Sequence, residues 1–464
     1  MAQIDIEELR CVYRGTGSDP YPPERLLAIA LFEILNGESS PDVWCRDADT
    51  REQCRLLGLG IAPKRSTWYE FRDRAGKFIE KIHQRLIHIA LEEKIVDPTE
   101  CCLDGTFTAA AASRHKIFNL RQINRRLSKI KKVIANLDDP TQRRSSRPLD
   151  KIPGWIAPTG NGRKEQLKSL RAAKAKILEY IEENRTKSMR YQRDEGKILV
   201  SPADVDAVIG KDKKKVIRPL YNTQYMSGTT SDVIFAYQVW AKNNDQGTLV
   251  PMIEKTQSIT GGGLSVVHAD CGYCSILDLQ DCARIGIDLY APVQDNNGSV
   301  DRKAADGRNQ IPANEFRFDQ ATKSLHCPAG HAMNFRSRVQ VPRADGRYVT
   351  ELRYEQDSTL CIGCPLAGTC LQPEVKRRTV SRLSEQELLD GQQKKMESEL
   401  GRRSAKLRSQ QVERRFADGK LHRNQDIQNG RGLARVRAEV GLLVVAQNIL
   451  TLYNLRKRRK ILLT

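Results

Sequence analysis

The sequence has no run of about 18 apolar residues, the length a membrane-crossing helix needs, so no membrane role is expected. Its first residues, MAQIDIEELR, lack the apolar stretch of a secretory leader. Without export, the 12 cysteines read as reduced thiols or metal ligands rather than disulfides, and the expected compartment is the cytosol. Acids are scarce as well: 57 stand against 77 Lys and Arg, a formal charge of +20. Such an excess favours a polyanionic partner, nucleic acid before a membrane surface. Aromatics make up only 6%, yet 39% apolar content over 464 residues suits a folded chain. That length allows roughly two to four domains.

Residues 1–95 read as a helical N-terminal domain. Pro22 and Pro23 precede LLAIALFEIL, which stops at Asn36-Gly37, a good C-terminal cap pair. Ser40-Pro41 opens a second helix. Thr67-Trp-Tyr-Glu70 has the spacing of a capping box opening a third, whose stripe is Phe71, Ala75, Phe78, Ile82, Leu86 and Ile89. Three helices with short turns have the form of a DNA-binding helix-turn-helix head, and equally of a plain helical bundle.

Residues 96–292 change to an α/β order. VDPTECCLDGTF ends a short apolar run on Asp104. A helical hairpin, about 111–215, follows: Leu120, Ile123, Leu127, Ile130, Ile134 and Leu137 form a seam, and a Pro/Gly-rich loop separates it from a second helix at about 163–185. Its many cations read either as a binding face or as a solvated one. Residues 218–241 alternate as two strands joined at Ser227-Gly228, and a helix at about 246–259 follows. LSVVHA then ends on Asp270, before a helix at 276–285 and the strand IDLYAP. The order predicts a mixed sheet with helices on both faces and acids at the C-terminal ends of its first and fourth strands. That is the edge where open α/β sheets bind ligands.

Residues 293–375 are polar and contain Cys327, Cys361, Cys364 and Cys370, four thiols as a structural zinc requires, with His331 able to replace one. Cys271-Gly-Tyr-Cys274 also has the spacing of a redox pair, a reading that explains neither the charge nor the flanking domains. Residues 376–464 read as helices that complete the core, closing on LRKRRK, a nuclear signal, a phosphate-contacting end or merely a solvated one.

Phosphodiester chemistry with two Mg²⁺ ions roughly 3.5–4 Å apart needs three acids, one of them shared. Asp104 and Asp270 fit the strand positions. Glu397, Glu399, Glu413 and Glu439 compete for the third. Glu413 has the best case, because Lys420, seven residues on, falls two helical turns along the same face, where it could meet a phosphate.

Several stretches carry a resemblance: YPPERLLAIALFEILNG, LDGT at 103–106, HADCGY at 268–273, CPAG at 327–330, CIGCPLAGTC at 361–370, and VERRFADGKLH with RGLARVRAEVGLLVVAQNI from 412 on. In this order the chain resembles a DDE-class insertion-sequence transposase, of the IS1182 group within the IS4/IS5-like set. The resemblance implies an RNase H-like catalytic core with Asp104, Asp270 and Glu413 as the acids that hold two Mg²⁺ or Mn²⁺ ions. It implies DNA contacts at Lys420, Arg431 and Arg408. Ser409 stands where the wider set has Arg, so Arg408 is the substitute. It also implies structural Zn²⁺ at Cys327, Cys361, Cys364 and Cys370. The implied partners are double-stranded DNA (terminal inverted repeats and target) and further copies of the chain, in a homodimer or larger synaptic oligomer. The alternatives are a metal-dependent nuclease that joins no strands and a silent DNA-binding protein derived from a transposase.

Overall fold

Pro23 in the first turn and Gly37 (φ 87°) past the end bracket helix α1 (Pro23–Leu35). The Ser40 hydroxyl accepts the Asp42 N–H at 3.3 Å and opens α2 (Pro41–Thr50). Then come α3 (Glu52–Gly58), α4 (Arg65–Ala75) and α5 (Ile79–Glu92). Five helices thus replace the three expected. Thr67 caps nothing, because α4 starts two residues earlier, and the stripe from Phe71 to Ile89 is divided between α4 and α5. The structure is a computed structural model that describes residue 10 and residues 21–138, 152–187, 189, 192–294, 303–343 and 346–463. The side chains of residues 138, 412–417, 421 and 460–463 are not described. The leader reading at residues 1–9 and the middle of the insert's loop lie outside the described residues.

The chain forms two units, Met1–His268 with Lys406–Thr464, and Ala269–Ala405. In the first unit, β1 (Glu100–Ala109) leads into the insert, helices α6 (Leu120–Asp138) and α7 (Gly160–Thr186). Ile123, Leu127 and Ile130 of the expected seam bury against Leu170, Ala173 and Ile177. The chain returns through β2 (Val208–Lys211), β3 (Ile217–Gly228), β4 (Ile234–Trp240), α8 (Leu249–Thr260) and β5 (Val266–His268). β1 pairs antiparallel with β3 along its length and parallel with β5 at Glu100–Cys102. β2 and β4 pair with the two halves of β3. The mixed sheet is as expected, but Asp104 sits inside a ten-residue strand, not at its end. Asp270 follows the fifth strand, not the fourth.

The second unit begins with α9 (Ile276–Arg284) and β6 (Asp288–Tyr290). A five-stranded antiparallel sheet follows where the sequence suggested only polar segments: β7 (Arg317–Asp319), β8 (Ser324–His326), β9 (Ala332–Pro342), β10 (Tyr348–Glu355) and β11 (Thr379–Leu383). Two short helices, α10 (Ser358–Ile362) and α11 (Ala367–Cys370), lie between β10 and β11 in sequence. α12 (Gln386–Glu397) is tied to this unit by Gln392, whose amide donates to the Leu289 and Ala291 carbonyls at 3.1 and 3.0 Å. α13 (Glu399–Ala417) carries the chain back to the first unit, where α14 (Leu433–Leu463) closes it.

Every residue of α14 from 438 to 448 is buried, so this middle stretch needs cover on every side. Leu442, Leu443, Val445 and Ala446 join the core of α1–α5. Val436, Val440 and Val444 join Cys102, Tyr221, Tyr225 and Val239 of the sheet. Leu433–Arg459 has the length and hydropathy to cross a membrane, but 61% of its most apolar window is buried inside the protein. Deep in this helix, Asn448 makes two bonds to Ile234 of β4: its Oδ1 accepts the N–H and its Nδ2 donates to the carbonyl, both at 2.9 Å. His83 shares that carbonyl at 2.9 Å, and burial pushes its imidazole down to about 4, so it is neutral. Asn448→Leu strands a buried N–H, and should cost about 2–3 kcal/mol, read as an earlier chemical-denaturation midpoint.

Glu439 of α14 is buried. Its Oε2 accepts the Asn429 N–H at 3.0 Å, and Arg72 of α4 stands 3.9 Å from Oε1. Burial pushes its carboxyl up to about 7, against the lowering effect of the Asn429 bond and Arg72. The folded state therefore holds this proton more tightly than the unfolded chain, where the ordinary value is 4.5. The stability it contributes is complete below pH about 4.5 and is lost as pH rises through about 7. Glu439→Gln keeps the acceptor for Asn429 and removes the charge. The stability difference between variant and wild type should grow in the variant's favour from pH 5 to 8; a constant difference would contradict this.

Candidate active site

Asp104 pairs with Tyr225 across the β1–β3 ladder, so the two side chains share one sheet face. Its Oδ1 accepts the Gly105 N–H at 2.7 Å, and its Oδ2 lies 3.7 Å from Nη1 of Arg408 on α13. The carboxylate is 20% exposed, so it stays accessible while the strand holds its backbone. Cys102, two residues before it on the same face, is buried, and its thiol is pushed up to about 12 by burial and Glu100, with Arg408 pulling it back. It remains a protonated packing residue.

α13 is held beside β1 by more than Arg408. Gln411 donates to the Thr229 carbonyl at 2.7 Å, and the Thr229 N–H donates to the Glu100 carbonyl at 3.2 Å. The backbone of Glu413 lies two residues beyond Gln411 on this helix; its side chain is outside the described set. The helix does not run on to Lys420. It ends at Ala417, and a π-helical turn, Asp418–His422, follows. The expected same-face alignment of Glu413 and Lys420 is therefore broken by the change in winding. The turn still brings Lys420 to β1, with Nζ 3.5 Å from the Phe107 carbonyl and 3.6 Å from Asp426. Burial lowers the pKa of its ammonium, and Asp426 partly restores it.

The following segment extends along the end of β1. The Ala109 N–H donates to Asp426 O and the Gln428 N–H to Ala109 O, both at 2.8 Å. Arg431 Nε donates to the Ala111 carbonyl at 2.9 Å. Gln425 donates to the Tyr225 hydroxyl, opposite Asp104. Gln411 and Gln425 escaped sequence reading, since a lone Gln carries no pattern; only their nearness to Glu413 and Lys420 marked the segment. Of the rival acids, Glu439 is committed to Asn429 and Arg72, and Glu397 accepts from Gln393 at 3.3 Å.

Asp270 belongs to the second unit. It caps a short 3-10 turn, Cys271–Tyr273, with Oδ1 accepting the Cys271 N–H at 2.7 Å. In the first unit, β5 ends at His268, the register partner of Cys102. Asp104 and Asp270 each follow two residues later along the chain. Cys274 is buried, which with Asp278 pushes its thiol up to about 12. A redox pair needs a low-pKa thiolate, so the redox reading of Cys271 and Cys274 has no support here.

Cys327, Cys361, Cys364 and Cys370 line one cavity of about 20 Å³ together with His331. Burial raises the Cys370 thiol, with Arg378 lowering it and the other three thiols adding to the rise. Yet no three His, Cys, Asp or Glu side chains among the described residues come together in a metal-holding arrangement.

Residues 326–453, about a quarter of the chain, match the family model of the transposase DDE domain. The matched stretch holds the four cysteines, Arg408, Glu413, Lys420 and Arg431, and leaves Asp104 and Asp270 outside it. No curated protein and no solved structure matches the chain. The family match supports a DDE transposase.

Proposed function

We propose that the chain is a DNA transposase of an insertion sequence, of the IS1182 group, with an RNase H-like core. It binds terminal inverted repeats in the cytoplasm and works as a homodimer or larger synaptic assembly. The observation that carries the reading is Arg408 against Asp104: the helix bearing Glu413 packs beside the strand bearing Asp104. Arg408 and Glu413 are five residues apart, about 7.5 Å along the helix axis. The match to the DDE domain covers that helix.

In this reading Asp104, Asp270 and Glu413 offer hard oxygen donors, the set that Mg²⁺ or Mn²⁺ prefers. Two such ions, when bound, activate the attacking oxygen and stabilise the leaving 3′ oxygen. The chain's own residues do the positioning. β1 fixes Asp104 by its antiparallel pairing with β3, with β5 pairing the same strand at Glu100–Cys102, and Gln411 locks α13 to the β3–β4 turn. Lys420, Arg408 and Arg431 supply positive charge near the strand, suited to DNA phosphates. The charge of +20 suits the same partner. The N-terminal helices serve DNA binding, and their shared core with α14 ties them to the sheet.

The four cysteines carry a second part of the proposal, a structural Zn²⁺. That all four line one small cavity supports it, and four is the donor number of a structural zinc, although no three of them stand in a metal-holding arrangement in this structure. Protein purified without chelator should hold about one zinc equivalent, and Cys364→Ser should lose it. Metal-free protein on elemental analysis would end this part.

Asp104→Asn, Asp270→Asn and Glu413→Gln should each slow Mg²⁺-dependent cleavage of the element's ends by at least about 10²-fold, with DNA binding nearly intact. A variant that cleaves at the wild-type rate removes its residue from the site. Joining of the cleaved ends to target DNA separates a transposase from a nuclease.

A further inference from the structure

The insert carries a cavity that the catalytic reading does not use. It measures about 170 Å³ and is lined by Phe118, Gln122, Arg125, Arg126, Lys129 and Trp155. Ligand pockets for drug-sized molecules run to about 300–1,000 Å³, so this one has room for a single small group. At its centre the Arg126 guanidinium lies between two rings, 4.1 Å from the Phe118 centroid and 4.4 Å from that of Trp155. With two rings this close, the N–H groups of the guanidinium are what it offers for bonding. No hydrogen bond or ion pair joins Arg125, Arg126 or Lys129 to another described residue. Among the described residues, no acid lines the cavity. Three unneutralised cations around one small space call for an anion. A guanidinium carries its N–H groups in a fixed flat fork, which can grip two oxygens of a phosphate.

The surroundings say where that phosphate comes from. Arg121, Arg125, Lys129 and Lys132 recur on α6 at steps of four, four and three, and all four are exposed. At 1.5 Å per residue they form a row about 16 Å long. A DNA strand rises about 3.4 Å per nucleotide, so the row spans several phosphates. Asp138 is the only acid in α6, at its last position. A free phosphate ion would need the pocket alone. A row of cations continuing from the pocket fits a polymer.

We propose that α6 is a DNA-backbone track, and that the Phe118–Arg126–Trp155 pocket clasps one phosphate of the strand laid along it. The proposal rests on the DNA reading above and adds a contact surface distinct from the catalytic acids. Arg125 and Lys129 are exposed and have no bonding partner among the described residues, so replacing them leaves the fold intact. Trp44 and Trp68 are fully buried in the α1–α5 core, while Trp155, against Arg126, and Trp240 are half-buried, so the Trp155→Phe variant is what isolates the Trp155 signal.

The test uses the full-length protein and a labelled duplex titrated by fluorescence anisotropy across a salt series. Each phosphate contact contributes about −0.9 to the log–log slope, so the Arg125→Gln/Lys129→Gln double variant should flatten it by about 1.8. Arg126→Gln should flatten it by about 0.9. DNA should quench a tryptophan signal that Trp155→Phe abolishes. Variants with the wild-type slope, beside a wild-type protein that binds steeply, sink the track while leaving the DNA reading standing. Wild-type protein that binds no duplex removes the DNA reading and the track with it. Inorganic phosphate that quenches Trp155 when DNA does not would make the pocket a small-anion site and overturn the proposal.

Discussion

One helix whose middle, residues 438–448, faces no water on any side organises the first unit. α14 passes between the N-terminal helices and the sheet, and both must close on it to bury its apolar surface. The closeness is visible at Gly441, where an added Cβ would stand 2.5 Å from the Tyr237 hydroxyl of β4 and 2.9 Å from Ile79 of α5. A methyl group there would push one of the two neighbours away. The N-terminal helices are therefore not an independent head attached by a linker: their core includes Leu442, Leu443, Val445 and Ala446. Removing them would expose α14 and loosen the sheet below it.

The same helix reaches the candidate site through its beginning. Its first backbone N–H groups need acceptors, and the base of the insert provides them. Asp206 accepts the Leu433 N–H at 2.9 Å, and Asp204 accepts that of Gly432 at 3.2 Å. Asp204 also takes the Tyr221 hydroxyl at 2.7 Å, tying β3 to the same point. The burial demand of α14, the return of the insert and the middle of the sheet are thus joined. Asp104 sits on the strand paired with β3, so its backbone inherits that rigidity, as a carboxylate that must hold a fixed geometry requires.

Much of this was legible in the sequence where apolar residues keep a period. The seam of α6, the stop at Gly37 and the apolar run of α14 all follow from burial on a helical face. The five-stranded sheet of the second unit was missed: β9 alternates at Met333, Phe335, Val339 and Val341, but it is exposed along most of its length and interleaved with polar residues, so the stretch read as polar as a whole. Asp104 was expected to end its strand because the short apolar run stops on it, with Gly-Thr following. Antiparallel pairing with β3 carries the strand through Gly105 and Thr106 to Ala109, a long-range pairing that local sequence does not report. Lys420 was assigned to the face of Glu413 by counting 3.6 residues per turn, a count that fails where the winding becomes π. The Arg126 sandwich was hidden for a similar reason, since its two rings come from residues 118 and 155, on either side of α6.

The point of insertion gives the insert its bearing on chemistry. β1 ends at Ala109, where its N–H and carbonyl are taken by Asp426 and Gln428. The chain leaves there, only five residues after Asp104. Its way out and its way back are pinned together at the neck, where Phe118 and Val200 exchange two backbone bonds at 2.9 and 3.0 Å. Phe118 is also one wall of the Arg126 pocket. A single residue therefore both closes the neck and shapes the cavity, so the pocket cannot drift independently of the strand that carries Asp104. An insert tethered by a loose loop would offer its cations in many directions; one pinned at its root offers them in few. That restriction is what a backbone contact must have if it is to set the register of a strand rather than add affinity alone.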